Sequence, residues 1–442
     1  SITPSAGTAA LCSYRQWSLK SAISRAWRVS RKAGAIHSTV GTTLAWVVWD
    51  DIFWPEWITT KGEYFSTDMP MGLCIAGFLQ TLPAPASGEL LQAVIGLSKQ
   101  DGWRPEKLAR LLTLATPNQE TWQLVDACGP EVSAVYWQAV RLYHRGNDTD
   151  LEFVLERLLE AKRPLSALKY CQYSLEQTAP AQLFSALRQL LHGEVEEGLK
   201  LESWHLEKML GRLEESGEID KMALIHLEFG LFPFLRYGRE VKANALYEGV
   251  MSEPELFKEL ICLLYKPEHG DREEPTEASK AAAERAWSIL HSCKRLPGTQ
   301  PDGSINRDIF FNFIKETRDL CSHADRSTMC DQTLGQILAH SPADEDGTWP
   351  FIPVRELLDS PELEEMRRGF CIGTSNKRGI TSRSPWDGGD QERTLAAYFS
   401  DQARRVQFSH PVVATMLEGI AKSYERHGKH EDIEANLRKE SF

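Results

Sequence analysis

The sequence has no Cys-x-x-Cys pair, no acidic residue before Asp50, and no apolar run of membrane-spanning length. Each absence excludes something. Its nine cysteines, Cys12, Cys74, Cys128, Cys171, Cys262, Cys293, Cys321, Cys330 and Cys371, are odd in number and scattered. That pattern suits free thiols in a reducing compartment rather than a secreted disulfide scaffold. A membrane span needs ~18 apolar residues. The best stretch here, Leu44 to Val48, stops at Asp50 and Asp51, so no membrane partner is expected and a cytoplasmic location is. The spacing of Gly, Lys and Ser/Thr matches neither a Walker loop nor a dinucleotide fingerprint. Gly-x-Ser-x-Gly, His-Glu-x-x-His and kinase-type sets are missing too. Strand-forming alternation is weak throughout.

What is present is a foldable chain with uneven charge. Of 442 residues, 42% are apolar, 25% are charged and thirteen are tryptophan. Large aromatics need partners to bury them, which excludes a disordered chain. The net charge of −12 argues against a general nucleic-acid binder, whose domain would be basic. Yet the first 49 residues carry Arg15, Lys20, Arg25, Arg28, Arg31 and Lys32 and no acid. Such a start resembles a transit peptide. It also suits a nucleic-acid-contacting arm, or simply a basic helix or loop whose acidic neighbours lie elsewhere, which is the preferred reading. Any nucleic-acid contact is therefore expected only through residues 1–49. Ser1 is not Met, which suggests a piece of a longer protein. Trp46, Trp49, Phe53, Trp54 and Trp57 form an aromatic stretch interrupted by Asp50, Asp51 and Pro55, read as an apolar wedge rather than a ligand platform.

From Pro105 onward the pattern is helical. Leu108, Leu111 and Leu112 share one face behind Pro105, and Pro117 breaks the run. Trp122, Val125 and Cys128 form the next stripe, then Val135, Tyr136, Val140 and Tyr143. Leu151 to Leu159 follows. Pro164 and Pro180 restart helices, because proline cannot continue one without losing a backbone bond. Further helices are expected at 200–215, 219–236, 254–265, 276–293, 306–321, 327–339, 353–359, 390–408, 411–426 and 430–440. Amphipathic helices joined by such short turns bury their stripes on antiparallel neighbours. The expectation is an all-α fold of stacked antiparallel helical hairpins, an α-solenoid of TPR or HEAT type, with an irregular helical C-terminal third. Three regions are expected: an irregular basic and aromatic segment, 1–85, with a linker at Pro83–Gly88; a helical-repeat array, 86–266; and a C-terminal helical domain, 276–442, set off by the acidic Pro267–Pro275 segment.

Three constellations could carry chemistry. The stretch 369–393 reads as a Gly/Arg loop, in which glycines permit close backbone approach to an anion. Asn376, Lys377, Arg378, Arg383, Asp387 and Arg393 would hold a nucleotide-like ligand there. The competing reading is a long ordered loop pinned by its own arginines. For metals, Cys321, His323 and Cys330, or His427, His430, Glu431 and Asp432, offer ligands, but their spacing misses that of zinc sites, and no metal or other cofactor is expected. Carboxylate runs such as Glu194, Glu196, Glu197 and Asp344, Glu345, Asp346 read as solvated surface.

Leu159, Arg163, Pro164, Ala167 and Leu168 lie in a run that resembles tetratricopeptide-type helical hairpins, in which a small residue lets paired helices approach. The full signature of that repeat is missing. Segments 254–257, 264–267, 296–298, 346–350, 376–379 and 388–393 resemble the C-terminal helical regions of large, uncharacterised bacterial multidomain proteins, some of them NTPase- or HTH-linked. That resemblance implies a sensor or scaffold role and transfers no catalytic residue. The expected function is thus a protein–protein interaction scaffold or sensor module without catalysis of its own. The alternative is an enzyme or binding domain for an anionic ligand at 369–393.

Overall fold

A computed structural model describes residues 53–60, 65, 70–82, 84–142, 150–193, 196, 200–235, 243–269, 276–379, 382, 384 and 386–440. The basic segment 1–49, Trp46, Trp49, Arg383 and the side chains of Phe53, Trp54 and Trp57 lie outside what is described. The fold is all-helical. No β-strand occurs among the described residues, which hold one isolated antiparallel bridge, Thr299 to Ile305. No described helix is long and apolar enough to cross a membrane. The chain divides into two compact units, residues 1–201 and 202–442, a boundary that falls inside the expected 86–266 array.

The first unit contains α1 (Phe53–Thr59), α2 (Pro70–Thr81), α3 (Ala84–Gln100), α4 (Pro105–Leu112), α5 (Gln119–Ala127), α6 (Pro130–Ala139), α7 (Leu151–Glu160), α8 (Pro164–Cys171) and α9 (Pro180–His192). The expected linker at Pro83–Gly88 is largely the start of α3. Pro85 sits in its first turn, where a missing N–H breaks no helical bond. Proline likewise opens α4, α6, α8 and α9. Asn118 caps α5 by accepting from Thr121 N. Burial holds these short rods: Leu108, Leu111 and Leu112 of α4 are sealed. Trp122, Trp137 and Phe153 bring α5, α6 and α7 together, with ring centroids 5.5–5.8 Å apart. Packing joins successive helices α7–α8 and α8–α9, and also next-but-one pairs α4–α6 and α7–α9.

The second unit contains α10 (Ser203–Ser216), α11 (Lys221–Leu231), α12 (Asn244–Ser252), α13 (Pro254–Leu264), α14 (Glu277–Ser292), α15 (Arg307–His323), α16 (Ser327–Leu338), α17 (Ile352–Leu358), α18 (Glu364–Lys377), α19 (Asp390–Val406) and α20 (Pro411–Glu440). Side-chain caps on Asp220, Thr276 and Asn306 start α11, α14 and α15. Gly217, in the left-handed region at φ 64°, ends α10. Phe257, Leu260 and Ile261 of α13 are fully buried, and α13 packs on α14, α15 and α16.

Two expectations fail in this unit, and for one reason. Residues 369–377 are helix, not loop, and α20 runs unbroken through Gly428 rather than splitting into 411–426 and 430–440. In both places glycine serves close packing. A Cβ on Gly369 would stand 2.0 Å from the Gln332 carbonyl oxygen, one on Gly373 2.5 Å from that of Gln336, and one on Gly335 2.0 Å from that of Met366. Gln332 thus faces Gly369 and Gln336 faces Gly373, so α16 and α18 run side by side in the same direction. At Gly428 the start of α19 crosses α20: a Cβ on Gly389 would meet the Gly428 carbonyl oxygen at 2.2 Å. Phe399 stacks on Tyr424 at 5.7 Å and Ser400 donates to Glu418. Numbers rise along α19 as they fall along α20, so these consecutive helices are antiparallel.

Candidate functional site

The six residues expected to hold an anion separate into two groups. Arg378 is spent inside the fold. It pairs with Glu392, which is 1% exposed, and lies over the Tyr424 ring at 5.7 Å. Arg393 bridges Asp432 at 2.6 Å and Asp390. Asp387 accepts from Ser384 N at 2.9 Å. Asp432 also accepts from Gly389 N at 2.8 Å, so these charges fasten the start of α19 to α20. Arg383 lies outside the described residues. Asn376 and Lys377 point elsewhere. They end α18 and line a cleft of about 360 Å³ within the second unit.

The cleft is built where α13, α14, α16 and α18 all end. The glycine seam between α16 and α18 brings Gln336 and His340 beside Asn376 and Lys377. The end of α14 adds Trp287, His291 and Lys294. The Trp287 and His291 rings stack at 4.8 Å and 10°, and Trp287 is 46% exposed. No carboxylate is among the described residues that line the cleft, and Lys294 has a partner of its own. Lys377 Nζ donates a long bond, 3.4 Å, to the Ala339 carbonyl and lies 5.9 Å from the Trp349 ring centre. Burial lowers the proton affinity of Lys377. His340 is pushed down to about 4, first by burial and then by repulsion from Lys377, Lys294 and His291. His340 is thus held neutral beside its basic neighbours.

Sequence reasoning missed His291, Lys294 and His340. Basic residues at a helix C-terminus ordinarily just offset its carbonyl ends, so nothing in their local spacing marks them.

The metal candidates do not assemble. Cys321 and Cys330 are buried, neighbouring free thiols. The His323 ring, however, turns to the Asp319 carbonyl at 2.7 Å. His430 pairs with Glu434 and Asp432 with Arg393. Among the described residues one other trio converges, Glu268, His269 and Asp325. Its exposed His269 ring pairs with Asp325 at 2.8 Å. Thr328 N donates to Glu268 and His269 N to Asp325, each at 2.6 Å. Those bonds account for the closeness without an ion.

Of the acidic runs, Glu196 and Asp344 are structural, whereas Glu345 is solvent-exposed. Glu196 accepts from Leu165 N at 2.7 Å, Ser166 N at 3.1 Å and the Ser166 hydroxyl, capping α8. Asp344 pairs with the buried Arg355 at 2.6 Å.

No family model matches the chain, no curated protein matches it, and no solved structure matches it.

Proposed function

We propose that the chain is a protein-binding scaffold or sensor module of a larger bacterial assembly, built from stacked helical hairpins of tetratricopeptide or HEAT type and working in the cytoplasm without catalysis of its own. One observation carries the reading. Consecutive helices α19 and α20 reverse direction, while next-but-one helices α16 and α18 run parallel. Hairpins stacked in register have that geometry, and they leave a long flank free for docking. Large apolar side chains stand in solvent as candidate anchors: Phe408 is 93% exposed, and Ile433 and Leu437 share one face of α20 at 58% and 57%. The acidic balance of the chain would steer a basic partner. The described cysteines are free thiols, which suits a reducing compartment.

The test is recovery of the tagged chain from its native cells. A partner present at stoichiometric level, released by salt and by Phe408→Asp or Ile433→Asp, is expected. Recovery of no stoichiometric partner at low salt and high bait contradicts the reading.

A further inference from the structure

We propose that Cys321 and Cys330 are an oxidisable pair, which hydrogen peroxide converts to an intramolecular disulfide that staples the end of α15 to the start of α16. This inference does not depend on the scaffold reading, since both thiols lie within the second unit.

The chain path brings the two cysteines together. Cys321 lies in the last turn of α15 and Cys330 in the first turn of α16, two helices that pack on each other. Between them Asp325 reverses the chain, in the left-handed region at φ 57°. Arg326 then ties both cysteines through the backbone. Its N–H donates to the Cys321 carbonyl at 2.9 Å, and its carbonyl accepts from Cys330 N at 3.0 Å. Both side chains turn inward as neighbouring free thiols, each 0% exposed. The end of α13 steadies the turn, since Arg326 Nε donates to the Tyr265 carbonyl at 2.9 Å. Ser322, His323 and Ser327 nonetheless stand in solvent. Opening this one turn, rather than the whole unit, therefore admits a small oxidant.

Buried cysteines are ordinarily inert. Cys171 and Cys293 fit that rule, since burial pushes each thiol up to about 12. Cys321 departs from it. The Cys330 thiol beside it holds Cys321 below the usual thiol value, and Lys258 and Arg326 add to that effect against burial and the Asp331 charge. Arg318 offsets the Asp331 charge by pairing with it at 2.7 Å. Cys330 is raised in turn, first by Cys321 and then by burial. One sulfur is thus set to attack as a thiolate while the other keeps its proton. The Cys321 thiolate attacks a peroxide oxygen and the O–O bond breaks. Cys321 becomes a sulfenic acid, and the departing hydroxide takes up the proton that Cys321 released, as water. The Cys330 sulfur then attacks the Cys321 sulfur. The S–O bond breaks, a second water leaves with the Cys330 proton, and the disulfide forms. The two sulfurs together give up two electrons, and hydrogen peroxide is reduced to two waters.

The experiment is treatment of the full chain with hydrogen peroxide, then alkylation of the remaining thiols under denaturing conditions and peptide mapping by mass spectrometry. A peptide pair joined through Cys321 and Cys330, lighter by two hydrogens and separated by dithiothreitol, should accumulate while Cys171 and Cys293 stay reduced and are alkylated. Cys330→Ser should leave Cys321 as a sulfenic acid that dimedone traps. Mapping of the native chain needs no variant, so it decides the matter should Cys330→Ser not fold. The proposal is overturned if Cys321 and Cys330 are still alkylated once the half-buried Cys262 and Cys371 have been oxidised, or if either pairs with a different cysteine. It is equally overturned if folded Cys330→Ser leaves Cys321 unmodified, or if Cys171 and Cys293 are oxidised as readily, which would mean that the treatment only unfolds the chain.

Discussion

Glu228 is 1% exposed, and its carboxylate accepts from Leu246 N at 2.7 Å, where α12 begins. Burial pushes its titration from 4.5 up to about 7, with the nearby Glu214 charge adding to the rise and the amides of Ala245 and Leu246 opposing it. Between those values the folded chain keeps a proton that the unfolded chain has released. The stability this group contributes is therefore full below about 4.5. It declines as pH rises to about 7 and is level beyond. Glu228→Gln should flatten that slope and gain up to about 3 kcal/mol relative to the native chain at pH 8. Denaturant melts at pH 5 and pH 8 check this, and an identical pH slope in the two proteins would refute it.

Arg163 is the corresponding case in the first unit. It donates to the Trp137 and Val140 carbonyls at 2.9 and 2.7 Å and to Ser166 at 2.9 Å, with Glu196 3.5 Å away. One side chain thus closes the end of α6 and the start of α8. Arg163→Ala strands those carbonyls and leaves Glu196 less compensated, at a cost of about 3 kcal/mol. Urea unfolding of the variant measures the loss. A change below about 1 kcal/mol, typical of surface pairs, would show that these bonds contribute little.

At the scale of elements, the glycines of the second unit act in opposite ways according to their surroundings. Gly369→Ala drives a methyl into the Gln332 carbonyl and should cost about 3 kcal/mol or more, as overpacking does at its severe end. Gly419→Ala, in α20 with nothing within 4 Å of the added carbon, should instead stabilise by up to about 1 kcal/mol. Thermal melts of the pair separate the two effects, and equal melting temperatures would contradict the seam. The same contrast explains what the sequence reveals of the elements. Helices with a clean leucine stripe behind a proline, such as α4, α9 and α13, are legible because local propensity and packing agree. Helix α18 is not. Gly369 and Gly373 each count against a helix locally, and their compensation is the backbone of α16, which lies more than thirty residues away in sequence. Gly428 misleads in the same way, since it resembles a helix stop until α19 is laid across it. The prolines at 83 and 85 resemble a linker, yet one of them only opens α3.

At the scale of the whole molecule, the described chain is all-helical and divides into two compact units. Its helical class is legible from periodicity, but its candidate cleft is not. Asn376 and Lys377 stand out in sequence beside glycines and arginines, whereas His291, Lys294 and His340 come from other helix ends that only the tertiary fold brings near. Arg378 and Arg393 look equally functional in sequence and are instead structural pins. Everything inferred about the cleft depends on residues 364–377 being a helix clamped to α16. Amide hydrogen exchange on the intact chain, resolved by segment, measures that clamp most directly. The amides of Phe370 to Lys377 should exchange as slowly as those of α13 and α16 and lose that protection in Gly369→Ala. Exchange in 369–377 at the rate of an open loop would contradict it.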